Sequence, residues 1–203
     1  MFRRRSFLKS SSLIAGGLIL PKLSFKSKKL NRKKLKIAVV GCGGRGTGAA
    51  VQALRADNNV ELVTLADAFK DRLEASLNAI KDEFEGEMEI NIKEKNKFVG
   101  FDAYKKAIDK SDVVILASPP GFRPAHFEYA INKNKHVFME KPVATDAHGV
   151  RQVLNSARKA KEKNLNVVVG LQRRYQKSYL SAKKQIDRGI IGKIISAHVR
   201  WNS

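Results

Sequence analysis

Residues Lys36 to Gly48 read K-I-A-V-V-G-C-G-G-R-G-T-G, and this stretch decides the fold. The apolar run Ile37 to Val40 goes directly into Gly41-x-Gly43-x-x-Gly46, and Thr47 to Ala56 after it has helical composition. A strand, a glycine turn and a helix start in this order form the frame that holds a dinucleotide pyrophosphate. Gly41 permits the tight turn, Gly43 lets backbone N–H groups approach phosphate, and Gly46 lets the helix lie close to the strand. Gly44 and Arg45, between them, belong to the same cofactor-facing set, and the helix N-terminus adds partial positive charge. A glycine fingerprint alone is a weak signal. Here Asp67 supports it: it follows the next apolar run, Val60 to Ala66, 21 residues after Gly46, where a carboxylate accepts hydrogen bonds from adenosine ribose hydroxyls. The pair predicts a nicotinamide dinucleotide site. Asp67 favours NAD, while Lys70 and Arg72 keep NADP open.

Outward from this turn, charge is distributed unevenly. The 203-residue chain has 40 Lys and Arg against 19 Asp and Glu, a net charge of +21. Twelve of those basic residues lie within residues 1–36, where there is no acid, leaving 28 against 19 (+9) for the remainder. Much of the excess therefore sits in a tail, and nothing resembling a nucleic-acid recognition motif or an aromatic stacking platform accompanies it, so no nucleic-acid partner is expected. The 43% apolar content suffices for a buried core. Cys42 is the only cysteine, which excludes an intramolecular disulfide and a cysteine-based metal site. Inside the glycine turn it reads as a small structural side chain.

Upstream, Arg4-Arg5-Ser6-Phe7-Leu8-Lys9 resembles the twin-arginine export signal, and the short apolar stretch Leu13 to Leu20 suits a signal-peptide core, well below the roughly 20 residues of a membrane span. The competing reading is a basic tail with an apolar patch. With no clear Ala-x-Ala cleavage site, retention as a membrane anchor stays open. Residues 1–34 are thus expected to be an export signal and basic linker, placing the protein in the periplasm or anchored facing it.

Downstream, apolar runs at Ile37–Val40, Val60–Ala66, Val113–Ala117, Val137–Met139 and Val167–Val169 are mostly continuous, as in parallel strands covered on both faces. Between them Leu73, Leu77, Ile80 and Phe84 recur at helical spacing, as do Val150, Val153, Leu154, Ala157 and Ala160, and both stripes read as core. Thr145 is a candidate cap for the second helix, with Asp146 favouring its N-terminus electrostatically. Glu85 to Lys97 reads as a loop or edge excursion. The alternation predicts an α/β fold, a Rossmann-type doubly wound parallel sheet over residues 35–172. Beyond it, Leu180 to Arg188 reads as a helix stopped by Gly189 and Gly192. Ile194 to Trp201 alternates like a half-buried strand of an open, largely antiparallel sheet. Residues 173–203 are thus expected to begin a second α+β domain, truncated because a lone strand cannot form a sheet.

Three motifs follow strand-like runs, where an open α/β sheet places its ligand: Ser118-Pro119-Pro120-Gly121-Phe122-Arg123-Pro124-Ala125-His126, Glu140-Lys141-Pro142, and Gln172-Arg173-Arg174. With these, residues 35–203 resemble the Gfo/Idh/MocA oxidoreductases. The most specific match is K-H-V-F-M-E-K-P, Lys135 to Pro142; Gly192-Lys193-Ile194 also looks like that family's passage into its C-terminal domain. The resemblance implies hydride transfer between nicotinamide and a hydroxyl-bearing carbon of a sugar or cyclitol. It implies that Lys141 lies by the reacting hydroxyl as the catalytic residue, and that Glu140 lies near the nicotinamide ribose. His126 matches a histidine of the post-strand loop. Ser118, Pro119, Gln172 and Arg173 complete the expected cofactor-facing set.

Bland readings stand beside these: a surface lysine, a helix-start acid and a structural histidine, while Arg123, Arg173 and Arg174 are open to two readings, reaching phosphate or sugar, or facing solvent. The family's usual base, a histidine in an acid-x-x-x-His stretch of the C-terminal domain, has no counterpart here. The resemblance therefore implies an NAD-dependent sugar or polyol oxidoreductase of which this chain supplies the cofactor-binding half. Alternatives are a binding remnant without turnover and an NAD-dependent redox-assisted glycosidase. A homo-oligomer is expected only for a full-length protein.

Overall fold

A computed structural model describes residues 33–200; the export-signal expectation and Trp201 lie outside the described residues. Six strands form one parallel sheet, β1 (Leu35–Val40), β2 (Val60–Asp67), β3 (Lys97–Val99), β4 (Val113–Leu116), β5 (His136–Met139) and β6 (Val167–Val169), in the spatial order β3-β2-β1-β4-β5-β6. The connections hold helices α1 (Gly44–Ala56), α2 (Lys70–Glu83), α3 (Ala103–Asp109), α4 (Arg123–Asn132) and α5 (Ala147–Glu162). Strand order reverses between β1 and β4, both paired with neighbours in parallel. This opens a crevice at their carboxyl ends, the switch point of a doubly wound sheet.

The continuous apolar runs are explained by helices on both faces. Along β1, Ala38 and Val40 face a core with Val114, Leu116, Phe127, Ile131 and Val137. Ile37 and Val39 point the other way, into a core with Leu62, Leu65, Leu73, Leu77 and Ile80. Period-two alternation thus exists in space, although every position is apolar.

One local expectation gains detail and two need correction. The polar excursion after Glu85 ends in a 3₁₀ turn (Glu94–Asn96) that leads into β3, an edge strand too short to show as an apolar run. The cap of α5 is Asp146, whose Oδ1 accepts from Gly149 N at 2.6 Å, because the helix starts one residue later than a Thr145 cap requires. Along α5, Val153 and Ala160 are buried as core, but Val150 and Leu154 are exposed. Their positions lie on the flank of the stripe, turned away from the sheet.

Beyond β6 a second 3₁₀ turn (Gln172–Arg174) leads to α6 (Lys177–Asp187), which ends before Gly189 as its stop signals predict. No residue of α6 is buried. Residues 194–200, expected as a strand, form none, and Ile195 and Val199 are 92% and 91% exposed. A strand needs a ladder partner, and among the described residues none lies beside this segment.

Candidate functional site

The glycine turn is built by contact, residue by residue. Gly41 has φ +97°, and a Cβ there would lie 2.4 Å from Ser118 N, so both backbone angle and space demand glycine. A Cβ on Gly46 would lie 1.9 Å from Gly41 O, which is the close helix–strand approach that the motif predicts. Gly43 and Gly44 differ, since a Cβ on either meets nothing within 4 Å. Gly43 is the N-cap of α1 without a side-chain cap, and the first turn of α1 contains no acid. The helix N-terminus therefore keeps N–H donors and partial positive charge available to an anion.

Asp67, at the end of β2, is fixed by backbone. Its Oδ2 accepts from Cys42 N at 2.6 Å and its Oδ1 from Phe69 N at 3.0 Å. These bonds tie the acidic residue to the glycine turn across the β1–β2 pair, and each oxygen keeps a lone pair for a diol. Cys42 beneath it donates its thiol to Ala66 O at 3.5 Å. Burial, reinforced by the Asp67 charge, pushes this thiol up to about 12, so it stays protonated and structural.

Past β4, Ser118 and His126 are both buried and meet at 3.0 Å between Oγ and Nδ1. Tyr104 stacks on the His126 ring with centroids 4.0 Å apart. Burial, aided by the Arg123 charge, pulls His126 down to about 4 and keeps it neutral at physiological pH. Arg123 is 3% exposed, so the solvent-facing reading falls, and it lies in the wall of the cleft described below. Its guanidinium donates to Pro142 O and Ser118 O, clamping the post-β4 loop to the post-β5 turn. It positions that loop because α4 starts at Arg123, which sets the side chain beneath the loop.

Glu140 and Lys141 follow β5. Glu140 is 8% exposed, packed so closely on Gly170 that a Cβ there would lie 3.0 Å from its Oε1. Arg45 reaches it from α1, Nε to Oε2 at 3.9 Å, and also donates Nη2 to Gln172 Oε1 at 3.0 Å. Lys141 is exposed, and its bond to Pro142 is cis.

Gly41, Gly43, Arg45, Asp67, Ser118, Pro119, His126, Glu140 and Lys141 all line one cleft of about 470 Å³ at the carboxyl edge of the sheet. That volume lies within the range of roughly 300–1,000 Å³ typical of ligand pockets. Gly44 and Gly46 support the turn without lining the cleft, and Gln172 touches it only through Arg45. Arg173 does not line it; it bonds Gln176 at 2.7 Å and lies over the Tyr179 ring. The cleft also contains Phe69, Phe101, Tyr104 and Phe122, with Phe101 and Phe122 rings 5.9 Å apart. Sequence reading did not single out these aromatics. Their signal was position: Phe69 and Phe101 each lie two residues past a strand end, but β3 was too short to reveal the second.

The residues fit a dinucleotide: an uncapped helix start beside a glycine whose missing side chain leaves open space, a fixed carboxylate, and apolar walls for a base. The comparisons agree. Residues 35–170 match the oxidoreductase family described as an NAD-binding Rossmann fold, named for Gfo, Idh and MocA. The chain belongs to this family, and residues 35–170 form its NAD-binding domain. It is similar to the inositol 2-dehydrogenase of Salmonella paratyphi B, 30% identical over 169 residues, covering 82% of this chain and 45% of that protein. Among solved structures, myo-inositol 2-dehydrogenase of Lactobacillus plantarum is 31% identical with a TM-score of 0.62, covering 80% and 44% of the two chains. Scyllo-inositol dehydrogenase of Lactobacillus casei, solved with NAD(H) and scyllo-inositol, is 26% identical with a TM-score of 0.61, covering 79% and 43%. The chain spans less than half the length of these relatives.

Proposed function

We propose that this chain is the cofactor-binding part of an NAD-dependent oxidoreductase acting on a hydroxyl-bearing carbon of a polyol, cyclitol or sugar. The observation that carries the reading is the convergence of the glycine turn, Asp67, Glu140 and Lys141 on one cleft. The open helix start beside Gly43 would take the diphosphate, Asp67 the adenosine ribose, and the aromatic wall a base. Bound NAD would supply the hydride acceptor: the carbinol carbon would give its hydride to the nicotinamide, its hydroxyl would give its proton to water, and a ketone would form. Lys141, exposed at the cleft, holds its ammonium where it can stabilise negative charge developing on that oxygen. Neutral His126 and the Arg123 clamp hold the loop on which this arrangement depends. The similarity to inositol dehydrogenases makes a cyclitol the first substrate to try.

Calorimetric titration of the purified chain with NAD is expected to show saturable single-site binding. A folded chain that gives no NAD binding overturns the reading. Turnover with myo-inositol as NADH absorbance would extend it; binding without turnover favours the remnant. Export is the second element of the proposal, on the strength of Arg4-Arg5-Ser6-Phe7-Leu8-Lys9. Such a protein would need its cofactor loaded before transport and recycled by alternately oxidising one substrate and reducing another. Replacing Arg4 and Arg5 together by Lys is expected to block periplasmic appearance of a reporter fused behind residues 1–34; undiminished export sinks it.

A further inference from the structure

Arg45 occupies a position whose use the glycine fingerprint leaves open. It is the second residue of α1, between Gly43 and Gly46, yet its guanidinium spans two other strand ends: Nε lies 3.9 Å from Glu140 Oε2 past β5, and Nη2 donates at 3.0 Å to Gln172 Oε1 past β6. The Glu140 carboxylate is buried against Gly170 and directly precedes Lys141. A buried carboxylate beside a site for an anionic cofactor repels that cofactor unless a cation stands between them. The Arg45 side chain remains 60% exposed and lines the cleft, so it carries further N–H donors beyond the one it gives to Gln172.

We infer that Arg45 is a positioning residue that couples occupation of the diphosphate end of the cleft to the placement of Glu140, and through it Lys141. This rests on the NAD-binding reading above. Arg45 screens the Glu140 charge from the diphosphate and holds the post-β5 turn against the glycine turn. Arg123 donates to Pro142 O in the same turn, so two arginines hold the segment Glu140 to Pro142.

The test is calorimetric titration of the full chain and its variants with NAD, ADP-ribose and AMP. Removing the Arg45 charge by Arg45→Gln is expected to weaken NAD and ADP-ribose about tenfold or more, as for loss of a close charge pair, with AMP changed less than about twofold. The second substitution Glu140→Gln, added to Arg45→Gln, is expected to restore much of that loss because the repelling carboxylate is gone. Arg45→Lys is expected to fall between, keeping charge without the planar fork. Equal weakening of AMP and NAD, or no recovery in the double variant, overturns the inference, since a merely structural arginine gives both. Unchanged NAD affinity in Arg45→Gln also overturns it. Absence of NAD binding by the unsubstituted chain instead removes the functional reading beneath it.

Discussion

The carboxyl edge of the sheet and the segment after β6 follow the same sequence grammar and reach opposite ends. At the cleft, apolar runs from distant parts of the chain are paired and covered: Val39, Leu65 and Leu116 are fully buried. After β6, α6 has the amphipathic spacing of a packed helix but buries nothing, and residues 194–200 alternate like a strand without becoming one. An apolar pattern states only which face needs a partner. Whether the partner exists is decided elsewhere, because burial of that face, not the pattern, supplies the free energy.

The sharpest way to break this comparison is one methyl group placed at two nearby glycines. Gly46→Ala drives a Cβ to 1.9 Å from Gly41 O and is expected to cost upward of about 4 kcal/mol or prevent folding, read by urea denaturation. Gly43→Ala meets nothing within 4 Å and is expected to keep the fold within about 1 kcal/mol while weakening NAD. A stable Gly46→Ala protein with normal affinity would remove the close-approach argument.

His126 gives the next largest effect. Its folded-state value of about 4 lies below the ordinary 6.5, so the unfolded chain binds the proton more readily. Its contribution to stability is complete above pH 6.5, declines as pH falls, and is gone below about 4, an amount on the order of 3 kcal/mol. Thermal melts of the protein and of His126→Asn should converge across that window. Parallel curves would show that the buried imidazole is not what titrates.

Asp67→Asn probes cofactor choice with a smaller effect. The amide cannot accept at both oxygens' positions, so either Cys42 N or Phe69 N loses its acceptor. NAD affinity is expected to fall about tenfold and the margin over NADP to narrow. An unaltered NAD-to-NADP ratio would place discrimination with Arg72 instead. At the other extreme, Ile195→Ser is expected to shift stability by less than about 0.5 kcal/mol, as for a side chain with no packing to lose. A large destabilisation there would mean that this segment has a partner in solution.

Much of the fold was legible because its signals are local. Strand and helix periods, the glycine turn and Asp67 each occupy a short window, and from β1 to β6 the structure puts them in the expected order. Legibility failed where a signal was short or shared. Three residues of edge strand carry too little pattern to see, and Thr145 and Asp146 are equally good caps until the helix start is known. At the site, Gly41, Asp67, Glu140 and Lys141 were found from motif position. Arg123 was not understood, because an arginine in a loop and an arginine beneath one have the same sequence.

By itself, then, the sequence determined the alternating α/β order, the phosphate-type turn and the acidic residue after the second strand. Tertiary structure alone decided that Arg123 clamps two loops, that Arg45 meets Gln172 across 127 positions, and that Phe69, Phe101 and Phe122 share one cleft. The physical reason is the strand order. Parallel strands β1, β4 and β5 become neighbours through long crossovers, so residues that end them converge in space without any local pattern recording the meeting.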